Sequence, residues 1–177
     1  MPSLLPFLEL GVATGLRSMI AISRLAGTLA AEGEGETEGR IAGVLSRPWA
    51  RALSLAMAAG EMVADKLPMV PDRTDPGPLA GRAVNAAIAG HVLATRRGEP
   101  RVLGVLLGAG GALLGAHVGF RVRRALTRQA GLPDLPVALC EDALAIALVR
   151  HALADWSARD AGGRVAPAGS PGFAHRR

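Results

Sequence analysis

The sequence contains no tyrosine and has only three phenylalanines, two tryptophans and one cysteine among its 177 residues. A single cysteine, Cys140, excludes a disulfide framework and any zinc site built on cysteine pairs, and its apolar surroundings favour a small packing residue. The shortage of aromatic side chains also argues against nucleic-acid binding, because that function needs aromatic or polar base readers beside a basic face. We therefore expect no nucleic-acid partner, although the net charge is +5.

Signature motifs of enzymes are missing as well. The chain has no G-x-S-x-G, no H-E-x-x-H, no Walker A loop and no G-x-G-x-x-G that follows a strand. His91 and His117 lie in apolar segments without a second ligand at metal-binding spacing, so we expect no metal site and no cofactor. These absences favour a protein that is not an enzyme, but they leave that question open.

Half of the residues are apolar, and arginines lie between the apolar segments, where they suit a membrane surface. Residues 102–120 carry no formal charge and would form a helix about 28 Å long, which matches the hydrocarbon core of a bilayer. This segment is followed by Arg121, Arg123, Arg124 and Arg128, at the expected level of the lipid headgroups. We therefore predict an all-α, polytopic helical membrane protein.

Four further apolar spans each carry at least one ionisable residue. They are residues 4–29, 53–65, 79–95 and 135–154. The first lacks the basic start of a secretion signal and contains Glu9, so we predict a retained first helix. The second is too short to cross a bilayer alone, and it would be re-entrant, half-spanning, or extended back through Trp49. The chain is therefore expected to have four or five transmembrane or re-entrant helices.

Two segments are typical of solvated, flexible chain. Residues 30–40 alternate glutamate with glycine or threonine and have no apolar face, and the end of the chain is rich in glycine, proline and alanine. We predict one helical membrane domain over residues 1–157, with the acidic loop inserted, and a flexible basic tail over residues 158–177. With five crossings, the distribution of arginines favours a cytoplasmic C-terminus, and we expect the bacterial cytoplasmic (inner) membrane as the location.

Glycines recur at every fourth position in two of the spans. The motifs are Gly11-x-x-x-Gly15, Gly104-x-x-x-Gly108 and Gly111-x-x-x-Gly115-x-x-x-Gly119. Such spacing puts the glycines on one helix face and predicts a close helix–helix seam. The alternative is a glycine-lined path for a small substrate.

A short internal likeness joins the same two spans. Residues 11–17 (GVATGLR) resemble residues 115–121 (GAHVGFR), and each copy precedes a segment with paired acids. Two repeats of opposite orientation would place a site near the membrane midplane. In a chain this rich in glycine and alanine, however, a seven-residue likeness also arises by chance.

Ionisable side chains inside the apolar spans are the candidates for a site. They are Glu9, Arg17, Glu61, Asp65, Lys66, Arg82, Glu141 and Asp142. A charge at a helix centre costs about 2.5 to 3.5 kcal/mol, so such groups normally face a bundle interior or water and pair with one another. We predict a polar centre in which the four acids after Glu9 face Arg17 and Arg82. The alternative is that some of these residues lie at the interfaces and the rest form structural ion pairs.

Several stretches resemble a known family. They are Gly15-Leu-Arg17-Ser18-Met19, Gly60-Glu61-x-x-x-Asp65-Lys66-Leu-Pro68-x-x-Pro71-x-Arg73, Arg82 and Glu141-Asp142. Together they resemble the bacterial membrane-protein family catalogued as domain of unknown function 4126, over about residues 5–155. The resemblance implies a multi-pass membrane protein with marked polar positions, and it implies no established activity, substrate or cofactor. Those positions are Arg17, Ser18, Glu61, Asp65, Lys66, Pro68, Arg73, Arg82, Glu141 and Asp142.

Three functions follow from these features. The leading hypothesis is a small transporter or permease-like protein that uses the polar centre. A second is a membrane-embedded enzyme acting on a phosphorylated lipid, in which Arg17 beside Ser18 binds phosphate and Glu61 or Asp65 is the acid or base. A third is a membrane scaffold with no substrate. We expect membrane lipids as partners and a homo-oligomer, because four or five short helices enclose little space.

Overall fold

The computed structural model describes residues 4–32, 39–64 and 74–154. Within these ranges all the regular structure is helical, which confirms the all-α prediction. The elements are α1 (Leu5–Leu16), α2 (Ile20–Glu32), α3 (Arg40–Leu45), α4 (Pro48–Ala64), α5 (Pro76–Arg97), α6 (Arg101–Arg124), a π-helical turn (Ala125–Gln129) and α7 (Asp134–Ala152).

Two predicted spans differ from the observed helices. Residues 4–29 were predicted as one helix, but they form α1 and part of α2, which are separated by a break at residues 17–19. Residues 53–64 of the short span belong to a longer helix that begins at Pro48, so the span does extend back through Trp49. The helix α3 also lies in the segment between the first two predicted spans.

The helices α5 and α6 form a hairpin. Gly98 ends α5 in the left-handed conformation with φ of +67°, where a side chain would be strained. The amide of the next residue, Glu99, donates to the carbonyl of Ala94 at 2.9 Å, and the Gly98 amide donates to Thr95 at 3.2 Å. These two bonds satisfy the last carbonyls of α5 and turn the chain directly into α6.

The helix α6 lies between α1 and α5 and buries only its smallest side chains. Its buried residues are Gly104, Gly108, Gly111, Ala112, Gly115 and Ala116. Because glycine and alanine leave the backbone uncovered, the two neighbouring helices approach it closely. A Cβ atom added to Gly111 would lie 2.9 Å from the Leu8 carbonyl oxygen, and one added to Gly15 would lie 2.7 Å from the Ala116 nitrogen.

The second half of the seam joins α5 to α6. A Cβ atom added to Gly90 would lie 2.7 Å from the carbonyl carbon of Gly104, and one added to Gly108 would lie 3.0 Å from that of Ala86. The glycines of the predicted motifs up to Gly115 therefore form a close helix–helix seam, whereas Gly119 lines a groove between α6 and α7. We call these contacts of α6 with α1 and α5 the glycine seam.

Leu107 of α6 is partly buried against the core, but other large apolar side chains of this helix are exposed. They include Val102, Leu106, Leu113, Leu114, Val118 and Val122, and Leu106 is 64% exposed. In the described part of the chain, the stretch Arg101–Gln129 is the one helical segment long and apolar enough to cross a membrane, and Leu5–Leu16 and Ile20–Ala31 are shorter apolar helices.

The larger core residues surround α1 instead. Phe7 and Leu10 of α1, Leu25 of α2, Leu93 of α5 and Val149 of α7 are almost completely buried. The two segments of the internal likeness touch in the glycine seam, since Gly15 contacts Gly115 and Gly115 contacts Val12. The first copy ends its helix before Arg17, whereas α6 continues through Arg121, and the duplication itself stays a prediction.

Candidate functional site

The break between α1 and α2 is the most polar point inside the bundle. Arg17 leaves the helical conformation, with φ of −137° and ψ of 107°, while its amide still donates to the Ala13 carbonyl at 2.8 Å. The last carbonyls of α1 and the first amides of α2 therefore lack partners within their own helices. Side chains from other helices supply those partners.

Arg82 of α5 covers the carbonyl end of α1. Its Nη1 atom donates to the carbonyl oxygen of Gly15 at 3.0 Å and to that of Leu16 at 3.3 Å. The residue is only 6% exposed. A guanidinium at this point also compensates the negative end of the helix dipole.

Glu61 of α4 covers the amide end of α2 in the complementary way. Its two carboxylate oxygens accept hydrogen bonds from the backbone amides of Ser18, at 2.8 Å, and Met19, at 3.1 Å. The N-terminus of a helix attracts anions, both through these free amides and through the helix dipole. Glu61 thus occupies the position that a bound anion would take.

The two side chains also pair with each other. Arg82 Nη2 lies 3.1 Å from the Oε1 atom of Glu61. The side-chain amide of Asn85, one turn along α5 from Arg82, donates to the Ser18 carbonyl at 3.3 Å. One ion pair and one amide therefore satisfy backbone groups on both sides of the break.

Arg17 makes the third charged contact at the break. Its Nε atom donates to Oδ1 of Asp142 on α7, and Arg17 is 4% exposed. The pair connects the break to α7, just as Glu61 connects it to α4 and Arg82 connects it to α5. We call the set Arg17, Glu61, Arg82, Asn85 and Asp142 the break cluster.

The structure brings together only part of the predicted polar centre. Arg17, Ser18, Glu61, Arg82 and Asp142 meet at the break. Glu141, the neighbour of Asp142 on α7, has its Oε2 atom 3.7 Å from Nη1 of Arg123 on α6. The remaining predicted positions, Asp65 and Lys66 together with the family positions Pro68 and Arg73, lie outside the described residues.

Two further ion pairs involve Arg123, Asp134 and His151, which sequence analysis did not assign to a site. Arg123 donates to both carboxylate oxygens of Asp134, at 2.9 Å and 2.7 Å. Glu9, whose side chain is mostly buried, lies 2.9 Å from Nδ1 of His151. These partners are 11 and 142 positions apart along the chain, so no local spacing pointed to the second pair.

The break cluster can donate and accept hydrogen bonds, but it does not resemble a metal centre. In the ranges that the structure describes, no three histidine, cysteine or acidic side chains converge on one point. The cluster instead offers two arginines and two helix amides as anion donors, with Glu61 and Asp142 as carboxylates that can carry a proton. Such a set suits the binding of an anion, a proton or both.

Comparisons with models of known protein families, with curated proteins and with solved structures found no match for this chain. The resemblance to domain of unknown function 4126 therefore stays a prediction. The assignment of a function depends on the geometry of the break cluster and on the surface of the bundle.

Proposed function

We propose that this chain is a small polytopic membrane protein of the transporter or permease type, and that the break cluster is its substrate site. The observation that carries the proposal is the buried helix break whose two ends are held by the Arg82–Glu61 pair. Discontinuous helices whose ends meet charged groups are the usual way in which transporters build a site near the membrane midplane.

The surface of the bundle supports the membrane part of the proposal. A helix of a water-soluble protein buries its large apolar residues, whereas the fully buried residues of α6 are glycine and alanine and six of its leucine and valine side chains are exposed. The helices α4 and α7 expose large apolar residues too, among them Leu55 at 61% and Leu139 at 54%. Apolar surface of this extent suits contact with lipid chains. The proposed location is the bacterial cytoplasmic membrane, with membrane lipids as partners and a homo-oligomer as the working form.

The geometry of Glu61 suggests how the site works. Its carboxylate uses the same donors that an incoming anion would use, namely the amides of Ser18 and Met19 and the guanidinium of Arg82. A proton on Glu61 removes its charge, which weakens its bonds to those donors and leaves them for the anion. Proton and anion binding therefore favour each other, and we propose that the two move together.

Flux in liposomes tests the proposal. Purified protein is reconstituted, an inward anion gradient is applied, and internal acidification is followed with a pH-sensitive dye, with chloride, phosphate and sulfate as the anions. We expect acidification with wild type that is absent with Glu61→Gln, because the amide cannot carry the proton. The matched control is Glu9→Gln, which neutralises another mostly buried acid whose partner is His151, and it should keep the flux.

Two results would contradict the proposal. One is a lack of acidification with wild type for every anion, and the other is equal flux in wild type and Glu61→Gln. Size-exclusion profiles show whether each variant is folded. If Glu61→Gln is not folded, Glu61→Asp replaces it, because this variant keeps the charge and only shortens the side chain. The proposal then requires that Glu61→Asp has a lower flux than wild type.

A scaffold without a substrate is the second candidate. It is favoured by the pairing in the break cluster, where Arg17 meets Asp142 and Arg82 meets Glu61, so that the charges join α1 and α2 to α4, α5 and α7. A scaffold should show no flux and should lose stability when one partner is neutralised. The enzyme alternative has less support, because Arg17 holds Asp142 and would have to release it to bind a lipid phosphate.

A further inference from the structure

A long apolar groove opens between α6 and α7, with α1 at its floor. Its volume is about 610 Å³, and its apolar lining includes Val12, Leu114, Val118 and Leu144. Val118 and Leu144 are about half exposed, so the groove opens sideways onto the apolar outer surface of the bundle. At one end the lining becomes charged, with Arg123 and Glu141.

A basic recess continues the groove at that end. It has a volume of about 170 Å³ and is lined by Phe120, Arg123, Arg124, Thr127, Arg128 and Asp134. Arg123 lines both cavities, so the recess and the groove share a wall. An apolar groove that leads into a basic recess matches an amphiphile, which has an apolar chain and an anionic headgroup.

The recess carries more positive than negative charge. Its three arginines face a single carboxylate, Asp134, which accepts two hydrogen bonds from Arg123. The other two, Arg124 and Arg128, are exposed. The pair of arginines can therefore hold a phosphate group by charge-assisted hydrogen bonds.

The backbone of the recess is itself unusual. Residues 125–129 form a π-helical turn, in which the amide of Ala130 donates to the carbonyl of Ala125 at 3.1 Å. The hydroxyl of Thr127 donates to the Arg123 carbonyl at 2.8 Å within this turn. Turns of this kind are rare, and they are found frequently at functional sites.

We propose that the groove and the recess together bind one anionic phospholipid, with an acyl chain along α6 and α7 and the phosphate at Arg124 and Arg128. This proposal rests on the membrane placement given under Proposed function, but it does not depend on transport. The occupant is a lipid of the surrounding leaflet because the groove opens sideways, its walls are apolar, and the recess lies at the end of the helix that is long enough to cross a membrane.

The only cysteine of the chain provides a probe at the site. Cys140 lines the groove and is exposed, so a bimane fluorophore attached to it needs no engineered residue. The labelled protein is reconstituted in phosphatidylcholine vesicles that contain increasing fractions of phosphatidylglycerol brominated on its acyl chains. A parallel series contains brominated phosphatidylcholine with the same chains. Quenching then reports which lipid lies beside Cys140.

We expect brominated phosphatidylglycerol to quench at lower mole fractions than brominated phosphatidylcholine. A basic residue near an anionic lipid contributes a factor of about five in binding, so the two arginines together should give a preference between about fivefold and 25-fold. The variant Arg124→Gln/Arg128→Gln should lose this preference. The control Arg121→Gln, which removes an exposed arginine of α6 outside the recess, should keep it.

Three results would overturn the lipid site. Equal quenching by the two lipids would mean that Cys140 meets the bulk bilayer, so the site would fail and the membrane placement would stand. If the preference for phosphatidylglycerol persisted in the double variant, the phosphate of the lipid would not bind at Arg124 and Arg128. An absence of quenching by either lipid would mean that a second copy or the C-terminal tail covers the groove, and it would also remove support for the membrane placement.

A measurement without a label excludes an effect of the fluorophore. Native mass spectrometry of the unlabelled protein in mild detergent should retain one phosphatidylglycerol molecule per chain. Val118→Trp, which fills the groove, should reduce that retention at least fivefold. Equal retention by wild type and Val118→Trp would contradict the assignment of the acyl chain to the groove.

Discussion

The helix α1 is held in two different ways along its length. Its middle lies in the glycine seam, where the backbones of α1 and α6 touch and no charge is involved. Its end lies in the break cluster, where Arg82 and Glu61 satisfy backbone groups that a continuous helix would satisfy by itself. The seam depends on the absence of side-chain atoms, and the break depends on the presence of charges.

The comparison shows which part of the molecule is able to change state. Backbone contact in the seam offers one close-packed arrangement, so it suits a fixed support. Apart from the bond donated by Asn85, the side-chain bonds at the break involve ionised groups, and the strength of such bonds varies with a proton or a bound anion. We therefore assign support to the seam and function to the break.

Removal of a charge from the break should have the largest effect on stability. In Arg82→Gln, the mostly buried carboxylate of Glu61 loses the guanidinium beside it and two carbonyls of α1 lose a donor. We expect a loss of about 3 to 5 kcal/mol in the free energy of unfolding, since removal of one partner leaves a buried charge uncompensated. This loss is measured by unfolding the purified protein in mixed micelles of increasing SDS content. A loss below 1 kcal/mol would show that the pair contributes little.

A side-chain atom added to the seam should have the next largest effect. In Gly15→Ala, the new methyl carbon would lie 2.7 Å from the Ala116 nitrogen and 2.9 Å from the Gly115 Cα atom, so the helices must separate. We expect a loss of about 1 to 3 kcal/mol by the same measurement.

Gly60→Ala is the matched control for the seam. Gly60 also lies within a helix, but an added Cβ atom has no other atom within 4 Å outside its own neighbourhood. Alanine should raise stability there by about 0.5 to 1 kcal/mol, because glycine is the weaker helix former. Equal effects of the two substitutions would contradict the close approach of α1 and α6.

The exposed ion pair of the basic recess should contribute least to the free energy of unfolding. Asp134 has a side chain that is 58% exposed, so its pair with Arg123 is largely solvated. We expect Asp134→Asn to change the free energy of unfolding by about 0.2 to 1 kcal/mol, and the change should decrease with added salt. A loss as large as that of Arg82→Gln would mean that the recess supports the fold as strongly as the break cluster.

The sequence predicted the elements that depend on local composition. The charge-free run before Arg121, the glycine spacing and the apolar surroundings of the charged residues indicated α6, the glycine seam and an internal polar centre. Each of these features follows from properties of one segment: its hydropathy, its period or the cost of an isolated charge.

The break could not be predicted in the same way. No proline or glycine interrupts residues 16–19, and the break is satisfied by residues that are more than 40 positions away, Glu61 and Arg82. The partners of Glu141 and Asp142 could not be predicted for a similar reason. Adjacent residues of a helix point in different directions, so one acid meets Arg123 and the other meets Arg17, and the choice depends on the packing of α7.

The central claim is that Glu61 and Arg82 act as one unit across the break. A double-mutant cycle with Glu61→Gln, Arg82→Gln and the combined variant, each unfolded with SDS, tests it most directly. We predict a coupling energy of about 1 to 3 kcal/mol, so that the combined variant is more stable than the sum of the two single losses implies. A coupling energy within about 0.3 kcal/mol of zero would mean that the two residues act independently, and it would contradict this account.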